Sequence, residues 1–483
     1  MPCWWHHGDG HHRESVGYGT MAKDMRTWIA QLDAADELRR VRQQVDPYTE
    51  MGALLWQSKE HALLFEKIAG HSDWTALGQA VANWRHAALV FDTTPDRLIP
   101  TFAARLRERV HPVHVSDGPV KEVVRRGNEV DLLSLPLHLN CTRDGGYYIT
   151  SGICVTRDPE TGQGNTAMYR LQVHDRRTTG FMAAPNHHAT QHRLRYEERG
   201  EAMPIAVIVG HHPAYYFAAA STIAYGDDEM ALAGSLLGEP VPLVPCEVVP
   251  LKVPADAEIV IEGYVPPAER RPEGPFSEFQ GYYAGERGPQ PIIRVEAITM
   301  RRNAIYKSLQ NGVRVEGNVY QEVPCCAQIY QTLMGAGGRL DIKNVVMLGA
   351  NFGVVIQMTP RYPGEAMNAL ACAVGGDPTH AKILIAIDED VDPTDPLDVW
   401  WAVETRVNPQ EDVTILPGVY VNHLDLSGRQ VIVPGLPTRP RIGSKMLIDA
   451  TKPPTCDTEA REAFERSRPM GFGKIRLADF LNA

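Results

Sequence analysis

The sequence of 483 residues has little of what marks several specialised classes of protein. No apolar run approaches the roughly 20 residues of a membrane-spanning helix, and residues 1–20 lack the apolar stretch of a secretory signal. Acidic residues outnumber basic ones, 59 to 48, and the net charge is −11, so no excess of positive charge is available to neutralise nucleic-acid phosphates. We therefore expect a cytoplasmic protein with no membrane span and no nucleic-acid partner. Residues 1–20 are expected to be a disordered extension, with translation from Met21 as one explanation.

The sequence also lacks Cys-x-x-Cys pairs and several well-known catalytic motifs. The eight cysteines form no Cys-x-x-Cys pair, and reduced thiols are the expected state. Adjacent Cys325 and Cys326 offer two metal ligands, but no partner ligand lies near them in the sequence. HExxH, GxxxxGK followed by Ser or Thr, GxGxxG after a strand, and GxSxG are absent. These absences argue against a zinc peptidase, a P-loop NTPase, a dinucleotide-binding fold and a serine hydrolase.

The length and the hydrophobic pattern predict an α+β protein of several domains. Helical stretches and short apolar runs alternate near the N-terminus, many short strands and turns fill the middle, and helices and strands alternate again near the C-terminus. The middle is therefore expected to be a β-barrel or sandwich. The predicted segments are the extension over 1–20, an N-terminal α/β domain over 21–125, a β domain over 126–305, a connector over 306–325, a C-terminal α/β domain over 326–460 and a helix or tail over 461–483.

Local patterns add more specific predictions. Apolar residues at helical spacing predict a helix from Met25 to Val41, with Asp24 as its cap. The run HAALVFD at 86–92 is interpreted as one of the short apolar segments between helices. Further helices are predicted at 229–237, around 321–336, at 365–374 and at 395–405.

The stretch RPEGPFSEFQGYY at 271–283 combines two glutamates with proline and glycine. Glu273 and Glu278 lie five residues apart across a Gly-Pro kink. Glutamates in such loops are usually solvated. Proline, glycine and the apolar Phe276 nevertheless indicate a stiff loop, which is where catalytic groups tend to lie. The pair is therefore a candidate for acid–base chemistry.

A second group of polar residues combines amide, imidazole and carboxylate side chains. Asn165 precedes a strand that begins near Arg170, a histidine pair follows Pro185, and Glu229 begins a predicted helix. Pairing with a surface carboxylate would also explain the arginine, and a histidine pair in a loop more often faces the solvent. Taken together, Asn165, His188 and Glu229 would make a mixed oxygen and nitrogen site that suits Mn²⁺ or Mg²⁺ better than structural zinc.

Several separate blocks of sequence, in order along residues 21–460, resemble the UbiD family of decarboxylases. The blocks are DLLSLPLHLN, GGYYITSGICVTRDPETG, the Asn165–Arg170 segment, the segment around His188, VPADAEIVIEGYV, PEGPFSEFQGYY, HAKILIAIDEDVDP and GSKMLIDAT. The resemblance implies an N-terminal α/β segment, a central split β-barrel of the flavin-reductase type that binds prenylated FMN, and a C-terminal α/β oligomerisation domain. It also implies a homodimer or larger homo-oligomer, and a flavin prenyltransferase that supplies the cofactor.

The resemblance also assigns residues to the site. Arg170, Glu273 and Glu278 fall on the catalytic triad of the family. The remaining implied positions are Tyr169 beside the cofactor, Asn165, His188 and Glu229 on a Mn²⁺ or Mg²⁺ ion that bridges to the flavin phosphate, a K⁺ loop at 218–223 aided by Glu229, and Lys382 at the phosphate. His187 competes with His188 for the metal, and Lys445 is a second candidate for the phosphate.

The implied reaction is non-oxidative and reversible decarboxylation of an α,β-unsaturated or (hetero)aromatic acid through a covalent prenylated-FMN adduct, with Glu278 as proton donor. A cofactor is needed because one acid–base group supplies only about 10²–10⁴-fold, whereas enzymes achieve about 10⁶–10¹⁷-fold. Two alternatives remain: a split-barrel oxidoreductase with ordinary FMN, and a non-catalytic flavin carrier subunit. An intact Arg170–Glu273–Glu278 set favours the decarboxylase.

Overall fold

A computed structural model describes residues 23–184, 187–285, 287–336, 340–432, 440–472, 474–476 and 478–481. The predicted extension over 1–20 lies outside these ranges. None of the helices in this described part of the chain is both long and apolar enough to cross a membrane. The architecture is a mixture of helices and four β-sheets, as the α+β prediction requires.

The helices are short except for one of 20 residues at the start of the C-terminal part. They are α1 Met25–Ala34, α2 Met51–Gln57, α3 Trp84–Val90, α4 Leu98–Arg105, α5 His188–Glu198, α6 Pro213–Ala220, α7 Glu229–Leu237, α8 Glu316–Gly335, α9 Glu365–Gly376, α10 Pro396–Arg406, α11 Thr458–Glu462 and α12 Ala478–Leu481.

The strands supply a small N-terminal sheet, a large central sheet, a three-stranded ribbon and a C-terminal sheet. They are β1 Leu38–Val41, β2 Ala62–Phe65, β3 Thr75–Gly78, β4 Val113–His114, β5 Val123–Arg126, β6 Tyr148–Ile149, β7 Ile153–Arg157, β8 Gly164–Met168, β9 Leu171–Asp175, β10 Thr178–Gly180, β11 Met203–Val209, β12 Pro242–Pro245, β13 Lys252–Pro254, β14 Ile259–Val265, β15 Arg270–Glu273, β16 Gly288–Met300, β17 Ile305–Lys307, β18 Ile342–Leu348, β19 Gly353–Met358, β20 Ile383–Ile387, β21 Val413–Val421, β22 Arg429–Gln430 and β23 Arg441–Ala450.

The central sheet has ten strands and carries most of the candidate site. Its main path runs β6-β9-β10-β16-β14-β11-β7-β8, with β5 and β15 paired to the long strand β16. Strand β11 pairs with β14 and β7, and it is buried along its whole length because its two faces belong to two different apolar cores. In the described part of the chain no pairing joins the two ends, β6 and β8. The sheet is therefore open, no closed barrel is formed, and the split-barrel form stays a prediction.

The C-terminal sheet follows the predicted alternation of helices and strands. Its order is β18-β19-β20-β23-β21, with β22 paired to β23. Strands β19, β20 and β23 run parallel to one another. Strand β18 is antiparallel to β19, and β21 is antiparallel to β23. The buried apolar faces of α8 and α9 belong to the same core as this sheet. The region is therefore an α/β layer, as predicted.

Two local predictions in the N-terminal part were wrong. Asp24 does cap α1, but the helix ends at Ala34 and Leu38 lies in β1. The helical pattern stops because Asp36 adopts a left-handed backbone conformation, φ 58°, which an α-helix cannot contain. The HAALVFD run lies mostly in α3, where Asn83 accepts a hydrogen bond from the His86 N–H, so it is helical.

The remaining helix predictions agree with the structure except at one boundary. Helix α7 has the predicted bounds. Helix α9 ends two residues later than predicted, and α10 begins and ends one residue later than predicted. Helix α8 begins at Glu316 instead of about 321, inside the predicted connector. Strand β17, also close to the start of that connector, joins the N-terminal sheet by pairing with β3.

A buried ion pair joins β17 to the start of α8, and its loss is expected to destabilise the fold. Lys307 Nζ lies 2.7 Å from Glu316 Oε2, and both side chains are almost fully buried. Lys307→Met would leave the carboxylate buried without its cation, so the free energy of unfolding should fall by about 3–5 kcal/mol. Urea denaturation followed by circular dichroism measures the change.

The matched control is Lys343→Met, which removes a lysine from the exposed pair with Asp341. Exposed pairs contribute only about 0–1 kcal/mol, so this variant should unfold close to the wild type. Equal unfolding midpoints for the two variants would show that the buried pair is not a stabilising element.

Candidate active site

One arginine and two glutamates meet at the edge of the central sheet. Arg170 lies between β8 and β9, Glu273 ends β15, and Glu278 lies in the loop that follows. Arg170 donates from Nε to Glu273 Oε1 at 3.1 Å and from Nη2 to Glu273 Oε2 at 3.2 Å. Its remaining Nη1 donates to Glu278 Oε1. The structure therefore brings together the three residues that the sequence singled out for catalysis.

Burial gives this cluster its electrostatic character. The side chains of Arg170, Glu273 and Glu278 are 17%, 3% and 12% exposed. Burial raises the pKa of Glu278 above its usual value, Arg170 opposes that change, and the charge of Glu273 adds to it. Burial acts to lower the pKa of Arg170, but the two carboxylates outweigh it and keep the guanidinium charged. Arg170 pairs with both carboxyl groups, and the raised pKa of Glu278 makes this glutamate the one suited to carry a proton.

Aromatic rings pack around the arginine. Cζ of Arg170 lies 4.8 Å from the ring centroid of Phe276, and this ring lies 4.5 Å from that of Tyr148. Phe276 and Tyr148 are both buried. An apolar wall of this kind excludes water and strengthens the electrostatic interactions of the cluster.

A second polar cluster lies at the start of α7. Glu229 accepts from Asn165 Nδ2 at 3.0 Å and from the Thr166 N–H at 3.1 Å. The Tyr169 hydroxyl lies 3.4 Å from Asn165 Oδ1. Burial raises the pKa of Glu229 to about 7, because its hydrogen-bond partners are neutral and, within the described ranges, it forms no salt bridge. A buried carboxylate beside an amide oxygen, without a protein cation, fits the donor set of a divalent metal ion.

The two histidines lie at the N-terminus of α5, near this cluster but not bonded to it. His188 is the first residue of α5, and its ring meets that of Tyr225 edge-on at 5.0 Å. The ring of His187 lies 5.5 Å from that of Tyr169. Among the described residues, neither imidazole is hydrogen-bonded to Asn165 or Glu229. Desolvation is the main cause that lowers the pKa of both imidazoles, and this favours the neutral form that binds a metal.

The two lysine candidates differ in their surroundings. Lys382 donates to Asp425 at 3.0 Å and to the Ser427 hydroxyl at 2.8 Å, and its side chain is 27% exposed. Lys445 is buried and donates to the main-chain carbonyls of Pro378 and Ala381. The ammonium group of Lys445 is therefore occupied by hydrogen bonds within the fold, whereas Lys382 remains accessible to a ligand.

The implied K⁺ loop at 218–223 begins in the last turn of α6 and continues as irregular backbone.

The loop that carries Glu278 also contacts the C-terminal part of the chain. The ring of Phe279 lies 5.6 Å from that of Phe352 and 6.0 Å from that of His380. Gln280 donates to the main-chain carbonyl of Leu424 at 3.0 Å. Glu278 therefore lies where the central sheet meets the C-terminal α/β region.

Several residues of this site were not predicted from the sequence. Asp144 accepts from the Ser277 N–H at 2.9 Å, and burial raises its pKa to about 6. Burial, followed by the charge of Arg170, lowers the pKa of His423, an imidazole of the C-terminal region. Both residues are distant in sequence from the motifs, and nothing in their local sequence marks them.

Cys325 has candidate partner ligands that are distant from it in the sequence. One ligand atom from each of Cys325, Asp377 and His380 lies within 4.8 Å of the others. His380 Nδ1 is 2.8 Å from Asp377 Oδ2 and 3.7 Å from Cys325 Sγ. The cysteine lies on α8 and the other two residues precede β20, so only the folded chain brings them together.

Comparison with known proteins places these features in a family. Models of 3-octaprenyl-4-hydroxybenzoate carboxy-lyase match the chain in order: the N-terminal domain over 29–106, the Rift-related domain over 111–313 and the C-terminal domain over 322–450. A phenolic acid decarboxylase of Streptomyces sp. (strain D7) is 31% identical over 448 residues, which are 89% of this chain and 92% of the relative. Another, of Bacillus subtilis (strain 168), is 30% identical over 93% of this chain and 96% of the relative.

Solved structures agree with the sequence relatives. The UbiD-class enzyme HmfF from Pelotomaculum thermopropionicum, in complex with FMN, superposes with a TM-score of 0.87 and 34% identity over 95% of this chain and all of that one. The 3,4-dihydroxybenzoic acid decarboxylase of Klebsiella pneumoniae gives 0.84 and 27% over 95% of this chain and 99% of that one. With matches along its length and carboxy-lyases among its relatives, this chain belongs to the UbiD family and is a decarboxylase of the UbiD type.

Proposed function

We propose that this protein removes CO₂ from a phenolic or other aromatic acid, or from an α,β-unsaturated acid, by a non-oxidative and reversible reaction that uses prenylated FMN. The observation that carries the proposal is that Arg170, whose side chain is 17% exposed, pairs with both Glu273 and Glu278. The relatives support the substrate class, since they are named phenolic acid and 3,4-dihydroxybenzoic acid decarboxylases.

Bound prenylated FMN would supply the electron sink that loss of CO₂ from an sp² carbon requires. Structures of HmfF in complex with FMN and with prFMN support this choice of cofactor. The central region over 126–305, as a split barrel, would bind it beside Tyr169 and Arg170. The N-terminal domain over 21–125 and the C-terminal domain over 326–460, linked by 306–325, would flank it.

The cluster around Glu229 would hold the phosphate end of the cofactor through metal ions. Asn165, His188 and Glu229 would bind Mn²⁺ or Mg²⁺, and the loop at 218–223 would bind K⁺. Lys382 would reach the phosphate, because its side chain is accessible whereas that of Lys445 is buried. The buried carboxylate of Glu229, which has only neutral donors, supports a cation at this point.

The triad would then act on the substrate. Glu278 would donate the proton that replaces CO₂ on the substrate carbon. Glu273 would hold Arg170 through two hydrogen bonds, and Arg170 would orient Glu278. The buried aromatic wall would exclude water, and this keeps Glu278 protonated until the step that uses it.

The pH dependence of kcat should report this proton. Because burial raises the pKa of Glu278, the acid stays protonated at a higher pH than an ordinary glutamate, and kcat should fall as the pH rises through that pKa. An alkaline limb is therefore expected, and it is measured from initial rates of CO₂ release between pH 5 and about 9. A kcat that rises steadily across the same interval would contradict an acid role.

The test of the function begins with the cofactor. The protein is co-expressed with a flavin prenyltransferase, and the released ligand is identified by its mass and absorption spectrum. Loaded protein is then supplied with 3,4-dihydroxybenzoic acid, vanillic acid and cinnamic acid, and CO₂ release is measured. Prenylated FMN with turnover of any of these acids supports the proposal. Ordinary FMN that is bleached by a nicotinamide donor, or loaded protein that turns over none of them, would count against it.

The same preparation tests the assembly. We propose a homodimer or larger homo-oligomer held by the C-terminal domain. Light scattering coupled to size exclusion measures its mass, and a monomeric mass would contradict this part of the proposal.

A further inference from the structure

Two asparagines hold the backbone on either side of Glu278. The main-chain carbonyl of Ser277 accepts a hydrogen bond from Asn311 Nδ2, and the carbonyl of Phe279 accepts one from Asn318 Nδ2 at 3.2 Å. Asn311 lies in the segment before α8, and Asn318 lies in the first turn of α8. The loop therefore receives one donor before the glutamate and one after it.

Two further hydrogen bonds hold the same backbone segment. The Ser277 N–H donates to Asp144 Oδ1 at 2.9 Å, and the Glu278 N–H donates to the Tyr282 carbonyl at 3.0 Å. The backbone from Ser277 to Phe279 is thus fixed by partners from three separate segments. A side chain on such a backbone has little freedom beyond its own rotamers.

The orientation of Asn318 is itself determined by its neighbours. Its Oδ1 accepts from the Val315 N–H at 3.0 Å, which leaves Nδ2 to point at Phe279. Asn351 Nδ2 donates to the Asn318 carbonyl at 3.3 Å and to Gln321 Oε1 at 3.0 Å. Asn318 and Asn351 are almost completely buried, so water does not compete for these groups.

The chain of hydrogen bonds continues into the turn before β20. Gln321 Nε2 lies 2.8 Å from His380 Nε2, and His380 Nδ1 lies 2.8 Å from Asp377 Oδ2. Asp377 Oδ1 accepts the N–H groups of Thr379 and His380, which anchors the turn. The polar series from Asp377 to Asn318 therefore connects the C-terminal sheet to the loop of the proton donor.

We propose that Asn311 and Asn318 are positioning residues for Glu278, and that Asn351, Gln321, His380 and Asp377 fix Asn318 from the C-terminal domain. The inference rests on the proposed function, in which Glu278 donates the proton. Proton transfer requires the acid within hydrogen-bond reach of the carbon it protonates, and a displacement of about 1 Å costs on the order of 10²-fold in rate. The two carbonyl contacts prevent a displacement of this size.

The test compares Asn318→Ala with Asn344→Ala. Asn344 is a matched control because it is also buried, donates from Nδ2 to a distant carbonyl (Asp96, 3.3 Å), and accepts a nearby N–H (Val345, 2.9 Å). Asn318→Ala should lower kcat by roughly 10–100-fold and leave KM within about threefold, since the substrate contacts are intact. Asn344→Ala should leave both constants close to wild type. The probe is the acid of the panel above that the wild type turns over fastest.

A second readout needs neither substrate nor cofactor. Hydrogen–deuterium exchange of peptides over 276–283 should become several-fold faster in Asn318→Ala than in Asn344→Ala, because one carbonyl contact of the loop is lost. Asn311→Ala removes the other carbonyl contact and should give the same result. It also keeps the inference testable if Asn318→Ala fails to fold.

The inference is overturned if exchange over 276–283 is the same in Asn318→Ala, or in Asn311→Ala, as in the control. It is also overturned if kcat in these variants equals that of Asn344→Ala. Glu278→Gln is measured beside them to separate the two levels of argument. An inactive Glu278→Gln with a fully active Asn318→Ala would contradict only the positioning role of Asn318. An active Glu278→Gln would contradict the proposed role of Glu278 as the proton donor.

Discussion

Glu278→Gln is expected to abolish measurable decarboxylation, a fall in kcat of at least about 10²–10⁴-fold, while the protein still binds its flavin. The amide has nearly the shape of the carboxyl group and can still accept a hydrogen bond from Arg170, but it has no acidic proton to donate. Glu273 continues to pair with Arg170, so the arginine keeps a partner. The measurement is CO₂ release from the preferred acid, normalised to the flavin content of each preparation.

The control for this variant is Glu197→Gln. Glu197 is also partly buried and also paired with arginine, since Arg270 and Arg193 both donate to it, but it lies on α5 outside the triad. Its turnover should match the wild type. Wild-type activity in Glu278→Gln with normal flavin content would remove Glu278 from the reaction, whatever the control shows.

The fold could be predicted where the hydrophobic pattern and the turn residues agree. The alternation of α8, β18, β19, α9, β20 and α10 was visible because each element is bounded by polar or glycine-containing turns. The N-terminal errors have a different origin. Leu38 continues the helical spacing of α1, and the break at Asp36 depends on one left-handed residue that the pattern of apolar residues does not reveal.

The open form of the central sheet could not be predicted for a topological reason. Strand spacing shows that many short strands are present, but it does not say which of them pair. Strand β16 pairs with β10, β14, β15 and β5, and these partners come from positions up to about 170 residues away in the chain. Non-local pairing of this kind is decided by tertiary packing.

The site shows the same division between local and distant information. Glu273 ends β15 and Glu278 lies in the loop that follows, so their spacing could be seen in the sequence, and the resemblance added Arg170. The structure brings these three together. Asp144 and His380 reach the same region from two other segments, and Cys325 meets Asp377 and His380 only after the chain has folded. Single residues recruited in this way leave no local signature.

The predicted ligands of a divalent metal ion are only partly joined in the structure: Asn165 donates a hydrogen bond to Glu229, whereas among the described residues His188 is bonded to neither. His188→Ala is expected to release the metal and to reduce the bound flavin to a small fraction of the wild-type content, since in the proposed site the metal would link the protein to the flavin phosphate. Loss of one ligand from a site of three protein ligands removes a large share of the binding free energy. Metal content is measured by inductively coupled plasma mass spectrometry, and flavin content by absorbance after denaturation.

Two further variants decide whether the assignment of this histidine is right. His61→Ala removes an imidazole that contacts Arg39 at the surface, and it should retain the wild-type content of metal and flavin. His187→Ala tests the neighbouring candidate, whose ring lies against Tyr169, and it should retain the metal if His188 is the ligand. If the metal is lost from His187→Ala and kept in His188→Ala, the histidine ligand is His187. The assignment of Asn165 and Glu229 as ligands would not change. Metal kept in both variants would contradict a histidine ligand and would leave Asn165 and Glu229 as the remaining predicted ligands.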